Sequence, residues 1–245
     1  MSAFIGRDKG QVPDVIACAK GADADVLCLQ EVMDFELPHL QDTYRFVRFV
    51  PMTQFENGTT MGLVTCTNLA VNAWHEQYYM GDATELPRFD ESTPERVNAT
   101  KRRPLLTCDV LHGGKVYRVG NTHFLYTKDG TASAQHYRAL ASLIARANFA
   151  GEMVLCGAMV MPRDGLLYKD LIWSSGFEDW VPRSVTCTLD LKLHKLSARL
   201  KSGEVPLVVV DYIFGVGKKY RLLEEVRQFH SVADHTPLLA TVFKP

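Results

Sequence analysis

The sequence predicts a single α/β domain whose strands form mixed rather than purely parallel sheets. Short apolar runs follow one another directly as a hairpin in one place and are separated by amphipathic helical patterns in others. Strands joined by a tight turn pair antiparallel, whereas parallel strands need a longer crossover, so both kinds of pairing are expected. Of the 245 residues, 47% are hydrophobic and 22% charged, which suits one large domain with a substantial core. We therefore expect residues 1–245 to form one domain.

The first quarter of the chain contains a short helix and two buried strands. Pro13 suits the first turn of a helix that runs to about Lys20, and Gly21 suits its end. Residues 24–29 are apolar enough to form a strand that is covered on both faces. Residues 61–66 have the composition of another strand.

A hairpin and a long amphipathic helix follow. Strands 105–111 and 116–124 flank the turn Gly113-Gly114. Residues 133–149 form the helix. Its apolar face is predicted to carry Tyr137, Leu140, Ala141, Ile144 and Ala147. The remaining strands are predicted at 153–156, 207–214 and 238–243.

Two segments stand outside this scheme. Residues 81–104 are long and polar for a loop and end in Lys101, Arg102 and Arg103, which form either a solvated charge cluster or a phosphate contact. Residues 189–200 place leucines on one helical stripe and basic residues opposite it. The pattern predicts an amphipathic helix, either an ordinary surface helix or one that contacts RNA, a partner or a membrane surface.

Composition excludes several classes of protein. The net charge of −1 argues against tight binding through a broadly basic surface, so any nucleic-acid contact must use local patches. No apolar run is long enough to span a membrane, and residues 1–6 lack the features of a signal peptide. The six dispersed cysteines predict buried free thiols and a reducing compartment inside the cell, with cytoplasm, nucleus and mitochondrial matrix left open.

Four short polar segments lie at the ends of apolar runs. They are Leu29-Gln30-Glu31, Asn121-Thr122-His123, Asp211-Tyr212-Ile213-Phe214 and Ala233-Asp234-His235-Thr236-Pro237. In this order and spacing they resemble the signature segments of the endonuclease/exonuclease/phosphatase superfamily, which includes abasic-site endonucleases, deadenylases, tyrosyl-DNA phosphodiesterases and neutral sphingomyelinases. The resemblance covers nearly the whole chain. It implies a DNase I-like, four-layer α/β/β/α sandwich of two mixed sheets flanked by helices.

The resemblance also implies roles for five residues. Glu31 matches the carboxylate that holds Mg²⁺, a hard cation that prefers oxygen ligands. His123 matches a histidine that lines the phosphate pocket and donates to a non-bridging oxygen, where it stabilises developing charge. Asp234 and His235 match the pair that serves the metal–phosphate centre, and Asp211 matches the acidic residue that orients a catalytic histidine.

The family's Gly-Asp-x-Asn segment is degenerate in this chain. Where relatives carry that Asp and Asn, this sequence has Ala158 and Val160. In relatives the Asp activates the attacking water and the Asn binds the phosphate. Losing a general base costs ~10²–10⁴ in rate, and losing one charge-stabilising donor costs ~10²–10³. Asp164 is a conceivable substitute base, but it lies past Pro162 on a loop, and a misplacement of ~1 Å costs ~10²-fold. Rescue is therefore not expected.

The magnesium site is predicted to lack a second ligand. In relatives an Asn on the first strand accompanies the metal-binding Glu, and it would fall near residues 2–4. The first asparagine here is Asn57, so either the sequence begins inside that strand or the ligand is missing. Mg²⁺ binding is therefore expected to be weak or absent. Asn121 and the basic residues 101–103 remain candidate contacts for a phosphate or a nucleic acid.

Two hypotheses stay open. The favoured one is a non-catalytic member of the superfamily, which serves as a binding or structural subunit. Its partners would be nucleic acid, with RNA favoured over DNA, or proteins in a larger complex. The alternative is an active Mg-dependent phosphodiesterase, a nuclease or deadenylase-like hydrolase with a rearranged centre. A deliberate Asp→Ala inactivation would explain Ala158 but not Val160.

Overall fold

Thirteen strands and six α-helices make up the described part of the chain. The computed structural model describes residues 1–7 and 11–245, and for residues 2–7 and 129 it describes the backbone alone. The strands are β1 (Ser2–Arg7), β2 (Val26–Met33), β3 (Phe46–Gln54), β4 (Thr60–Thr67), β5 (Ala70–Met80), β6 (Arg103–His112), β7 (Lys115–His123), β8 (Met153–Ala158), β9 (Glu178–Asp179), β10 (Asp211–Val216), β11 (Arg221–Leu222), β12 (Arg227–Gln228) and β13 (Leu238–Phe243). The helices are α1 (Val12–Gly21), α2 (Leu37–Gln41), α3 (Pro94–Ala99), α4 (Ala134–Ala150), α5 (Leu166–Ser175) and α6 (Ser197–Lys201).

The strands form two mixed sheets. In the first sheet the order is β11-β13-β1-β2-β4-β3, and β12 also pairs with β13. In the second sheet the order is β5-β6-β7-β8-β10-β9. The parallel pairs are β1 with β2 and β7 with β8, whose strands are separated in the chain by α1 and α4. The predicted mixture of hairpin and crossover pairing is therefore confirmed.

The sheets pack face to face and carry helices on their outer faces. Helix α1 contributes Val12, Val15, Ile16 and Ala19 to a cluster with the outward side chains of β2 and β4. The largest apolar cluster joins the inner faces of both sheets and continues to helices α4 and α5. This arrangement is the predicted four-layer sandwich.

Helix α4 buries a different face from the one the sequence predicted. Tyr137 and Ala141 are exposed rather than buried. The buried side chains are His136, Ala139, Leu140, Leu143, Ala147 and Ala150. The difference arises at the first turn, where the His136 imidazole closes a capping box with Ser133 and contacts the Tyr126 carbonyl at 2.9 Å. These hydrogen bonds point the His136 side chain towards the core, so the buried face of α4 includes His136 and excludes Tyr137.

The predicted amphipathic helix over residues 189–200 is wrong. Only Ser197–Lys201 is helical, and the residues before it form turns. Asp190 explains the difference, because its carboxylate accepts the backbone amides of Lys192 at 2.8 Å and Leu193 at 2.9 Å. Such local side-chain bonds compete with the helical hydrogen bonds of the same amides.

Two simpler predictions are confirmed within the described residues. The six cysteines are free, with Cys28, Cys66, Cys108 and Cys156 buried. No helix in this part of the chain is long and apolar enough to cross a membrane.

A buried hydrogen-bonded cluster joins the two sheets at Asn121. The Asn121 carbonyl accepts from the Gln30 amide at 2.7 Å. Its own amide donates to the backbone carbonyls of Leu29 at 3.1 Å and Val64 at 2.9 Å. Both Asn121 and Gln30 are fully buried. Asn121 was a candidate phosphate contact, and the structure corrects that prediction, because both ends of its amide are used between the sheets.

We expect Asn121→Ala to lower the free energy of unfolding by about 3 kcal/mol. The substitution removes the hydrogen bonds of Asn121 with the Gln30 amide and with the two backbone carbonyls, and a buried polar group that loses its partner costs ~1–3 kcal/mol. Urea denaturation measures the change. Asn72→Ala, at an exposed position of β5, is the matched control and should change stability by less than ~0.5 kcal/mol. Equal effects of the two substitutions would show that the hydrogen bonds of Asn121 do not stabilise the fold.

Candidate functional site

Three neighbouring strands of the second sheet bring candidate residues to the same level. The register pairs His123 of β7 with Ala158 of β8, and Ala158 with Asp211 of β10. Residues paired in this way point to the same face, and neighbouring strands lie about 4.8 Å apart. His123, Ala158 and Asp211 therefore form a buried row with Ala158 at its centre. The degenerate position is the middle of the site.

Glu31 reaches this row from the first sheet. It lies in an irregular register between Leu29 and Val32 and has a φ of 58°, so it belongs to a bulge within β2 rather than closing the strand as predicted. The bulge redirects the side chain. The Glu31 Oε1 atom lies 3.8 Å from His123 Nδ1. The structure thus brings the predicted metal ligand and the predicted phosphate-pocket histidine together.

The carboxylate of Glu31 is paired with a buried ammonium group. Lys101 Nζ donates to Glu31 Oε1 at 3.2 Å, and each side chain is only 7% exposed. The ammonium also lies 5.0 Å from the centre of the Phe89 ring, where a cation–π interaction stabilises it. The solvated charge cluster that the sequence allowed is therefore wrong for Lys101, whose ammonium group pairs with Glu31 inside the protein.

Arg102 and Arg103 are buried as well, but they hold the backbone. Arg102 donates to the Pro51 carbonyl at 2.7 Å, and Arg103 donates to the Phe124 carbonyl at 2.9 Å and the His123 carbonyl at 3.3 Å. Neither arginine forms the surface charge cluster that the sequence allowed, and their guanidinium groups are used inside the fold. Among residues 101–103, Lys101 contacts a side chain of the site.

The backbone of His123 is held from a second side by Tyr79. The Tyr79 hydroxyl donates to the His123 carbonyl at 2.9 Å and accepts from Thr122 at 3.1 Å. Burial raises the pKa of Tyr79 to about 12, so the hydroxyl keeps its proton at neutral pH. Beside this region, a surface pocket of about 280 Å³ opens next to Lys101, lined also by Met80 and Pro87.

Asp211 and His235 form a hydrogen-bonded pair. His235 Nδ1 lies 2.8 Å from Asp211 Oδ2, and both side chains are almost fully buried. With Nδ1–H donating to the carboxylate, the lone pair of the neutral ring lies on Nε2. The hydrogen bond fixes the orientation of the His235 imidazole, and the catalytic role that the resemblance implies for this pair stays a prediction.

His194 joins this pair, and sequence reasoning missed it. One ligand-type atom from each of His194, Asp234 and His235 lies within 4.8 Å of the other two, and all three residues are buried. The rings of His194 and His235 meet edge to face with centroids 5.6 Å apart. His194 fell on a predicted surface helix, and the only sequence signal for its position was Asp190, whose turn directs the segment back to the sheet.

The turn after β8 keeps an unusual backbone at Val160. The amides of Met159 and Val160 both donate to the Val210 carbonyl, at 2.8 Å and 3.1 Å. Val160 has a φ of 50°, in the left-handed region that β-branched residues avoid and asparagine tolerates. The superfamily carries asparagine at this position. The backbone of the turn is thus suited to a residue that the chain lacks.

Asp164 is exposed and forms an ion pair with Arg183. Both of its carboxylate oxygens lie 2.9 Å from Arg183 Nη1. The two side chains are 62% and 68% exposed. This surface contact supports the expectation that Asp164 does not replace the base.

The missing first-strand ligand falls at the limit of the described residues. The register pairs Ala3 with Val26 and Arg7 with Gln30, so the backbone of residues 2–4 lies beside the first half of β2 and not beside Glu31. The side chains of residues 2–7 and all of residues 8–10 lie outside the described part of the chain.

We expect Val160→Asn to raise the free energy of unfolding by about 1 kcal/mol, because the left-handed region costs ordinary residues ~1–2 kcal/mol. Urea denaturation measures the gain. Val160→Ala is the control, since it keeps a Cβ atom and should stabilise less. If Val160→Ala stabilised as much as Val160→Asn, backbone strain would not be the cause.

Comparison with known proteins supports the fold. No family model and no curated protein matches the sequence. Solved structures match along the whole chain. An endonuclease/exonuclease/phosphatase protein from Bacteroides vulgatus is 15% identical with a TM-score of 0.69, covering 100% of this chain and 98% of its own.

Two further matches have named activities of their own. Sphingomyelinase C from Streptomyces griseocarneus is 13% identical, with a TM-score of 0.65 and 98% of each chain covered. The mannosyl-6-phosphatase from Bacteroides thetaiotaomicron is 10% identical, with a TM-score of 0.63 and 99% of each chain covered. Identities this low show the fold and not the activity. The chain has the endonuclease/exonuclease/phosphatase fold, and the resemblance seen in its four motifs is confirmed at that level.

Proposed function

We propose that this chain is a phosphodiesterase-fold protein that binds a phosphate-bearing ligand and hydrolyses it poorly or not at all. The observation that carries the proposal is Ala158, which lies at the centre of the row between His123 and Asp211. A methyl group there can neither accept a proton from water nor bind a metal ion. The exposed ion pair of Asp164 with Arg183 supports the absence of a substitute.

A magnesium ion fits this site poorly. Mg²⁺ prefers carboxylate oxygens and near-ideal octahedral geometry. Glu31 is already neutralised by Lys101, and an ion bound there would meet the like charge of a buried ammonium group 3.2 Å from the same oxygen. Repulsion between buried charges is screened far less than between exposed ones. We therefore propose that Mg²⁺ binding is weak or absent and assign no catalytic step to it.

The remaining residues can bind a phosphate group without a metal. Lys101 supplies an ammonium group that pairs with Glu31, and the imidazole of His123 lies 3.8 Å from the same Glu31 oxygen. His235 supplies a second imidazole, which Asp211 holds on the far side of the row. The pocket of about 280 Å³ beside Lys101 offers room for the group attached to the phosphate. The ligand in this proposal is one phosphate with its substituent, held in a pocket.

Single-stranded RNA is the first nucleic acid to test, ahead of DNA. Arg102 and Arg103 donate to backbone carbonyls and do not form a basic surface. Binding should therefore depend weakly on salt, because few phosphates would be neutralised.

A protein partner in a larger complex is the alternative. Trp173 is 88% exposed and Phe149 is 84% exposed, and aromatic residues of this kind are enriched at protein interfaces.

A second candidate function is an active phosphodiesterase with a rearranged centre. The specific observation in its favour is the Asp211–His235 hydrogen bond of 2.8 Å, because an oriented imidazole is a competent general base. In this reading, His235 would take the proton that an aspartate takes in relatives. Measured turnover separates the two candidates.

We expect Lys101→Met to create a magnesium response that the unaltered chain lacks. The substitution leaves a buried carboxylate uncompensated and should lower stability by ~3–5 kcal/mol in chelator. Mg²⁺ should then restore part of the loss, because an ion that binds only the folded state stabilises it. Thermal denaturation with and without millimolar Mg²⁺ measures both effects.

The matched control for this experiment is Lys219→Met. Lys219 pairs with Glu152 at 3.7 Å on the surface, so its loss should cost less than ~1 kcal/mol and bring no Mg²⁺ response. Calorimetry on the unaltered chain completes the test. Micromolar affinity for Mg²⁺ there would show that Lys101 does not block the site.

We expect the unaltered chain to hydrolyse RNA, DNA and simple phosphodiesters only at trace rates. The double change Ala158→Asp and Val160→Asn should raise the rate by ~10²–10⁴, the scale of a regained general base. The gain should disappear when His235→Gln is added, which excludes a contaminating nuclease. Turnover of ~1 s⁻¹ or faster by the unaltered chain would support the rearranged enzyme instead.

A further inference from the structure

We propose that His194, Asp234 and His235 form a binding site for a divalent transition metal of the zinc class. Their ligand-type atoms lie within 4.8 Å of one another, and all three residues are buried. Two imidazoles and one carboxylate are the donor set that zinc sites use when a further coordination position is left for water or substrate. A tetrahedral zinc site has ligand atoms about 3.3 Å apart, so a small inward movement of the side chains would complete it.

The backbone around these residues is built to hold them together. Residues 188–190 pair with residues 234–236 through the Asp190 amide on the Asp234 carbonyl at 2.9 Å and the Thr236 amide on the Thr188 carbonyl at 2.8 Å. The Asp190 carboxylate also accepts the Ser231 amide at 2.7 Å. These contacts dock the segment that carries His194 onto the turn that carries the other two ligands.

Asp211 supplies the outer support that metal-binding histidines use. It accepts from His235 Nδ1 at 2.8 Å, which leaves Nε2 as the nitrogen that faces a metal. A carboxylate behind a ligating histidine fixes the tautomer and increases the basicity of the ligand. Asp211 is thus a positioning residue in this proposal, and its loss should weaken metal binding without removing a ligand.

Metal binding by His194 predicts a local rearrangement. Without metal, the Leu196 amide donates to His194 Nδ1 at 3.1 Å. A neutral imidazole that binds a metal through Nε2 carries its proton on Nδ1, so it cannot accept that bond at the same time. If Nδ1 is the ligand atom, the metal binds the same lone pair that otherwise accepts the hydrogen bond of the Leu196 amide. In both cases the Leu196 amide loses its acceptor when metal binds.

The donor set selects a different ion from the one that the superfamily resemblance implies. Imidazole nitrogens favour zinc, cobalt, nickel and copper, whereas Mg²⁺ takes oxygen ligands. The site uses neither Glu31 nor Lys101 nor the position of Ala158. The site shares His235 with the proposed phosphate pocket, so variants of Glu31 and His194, each of which belongs to only one of the two sites, distinguish the two proposals.

The experiment titrates untagged, chelator-stripped protein with Zn²⁺ by calorimetry and with Co²⁺ by visible absorption. We expect one equivalent of Zn²⁺ with a dissociation constant below ~10 µM, Co²⁺ bands typical of histidine ligation, and no competition from millimolar Mg²⁺. His194→Gln should weaken binding at least ~10-fold, and Asp211→Asn should weaken it ~10–100-fold. His39→Gln, at an exposed histidine on α2, is the matched control and should bind as the unaltered chain does.

Hydrogen exchange on the unaltered protein gives a test that needs no variant to fold. Zn²⁺ should speed exchange of the Leu196 amide while the strands keep their protection. The proposal is overturned if no saturable Zn²⁺ binding occurs, or if His194→Gln binds as the unaltered chain does. It is also overturned if Glu31→Gln weakens binding and His194→Gln does not, because the metal would then lie elsewhere.

Discussion

A polar contact across the apolar interior fixes the position of the two sheets relative to each other. The 2.7 Å hydrogen bond between Gln30 and Asn121 provides it. Apolar side chains can slide past one another at modest cost, whereas an unpaired buried amide costs ~1–3 kcal/mol. Gln30 directly precedes Glu31, and Asn121 lies two residues before His123. The contact that aligns the sheets therefore also sets the carboxylate of Glu31 beside the imidazole of His123.

The charges at this edge are compensated by the protein itself. Lys101 neutralises the charge of Glu31, and the carboxylate of Asp211 is stabilised by its hydrogen bond with His235. A centre that depends on a metal has several carboxylates close together, and these repel one another when no ion is bound. An aspartate at position 158 would add a negative charge directly beside Asp211 in the sheet. Under the proposed loss of hydrolysis, the ammonium group of Lys101 and the alanine at position 158 would act together, because both reduce the need for a bound cation.

Local patterns predicted much of the fold, because their determinants are neighbours in sequence. The glycine hairpin is an example, with φ of 55° and 75° at its turn, the values that glycine adopts most easily. Strand β5 was missed because it is mostly half-exposed and lacks an apolar run. The motifs identified candidate site residues through their resemblance, but Lys101 lies 70 residues from Glu31, and no local pattern predicts their contact. His194 was missed because Asp190 replaces the predicted helix by a turn.

The left-handed backbone at Val160 makes this chain a useful background for measuring catalysis. The turn is held by main-chain hydrogen bonds to Val210, which do not depend on the side chains at positions 158 and 160. An aspartate and an asparagine can therefore be added singly and together on a backbone that is already in place. In a working enzyme, such residues can only be removed, and each removal also disturbs its neighbours. Adding the two side chains to this site would measure how strongly they cooperate, a coupling that removal from a working enzyme tends to hide.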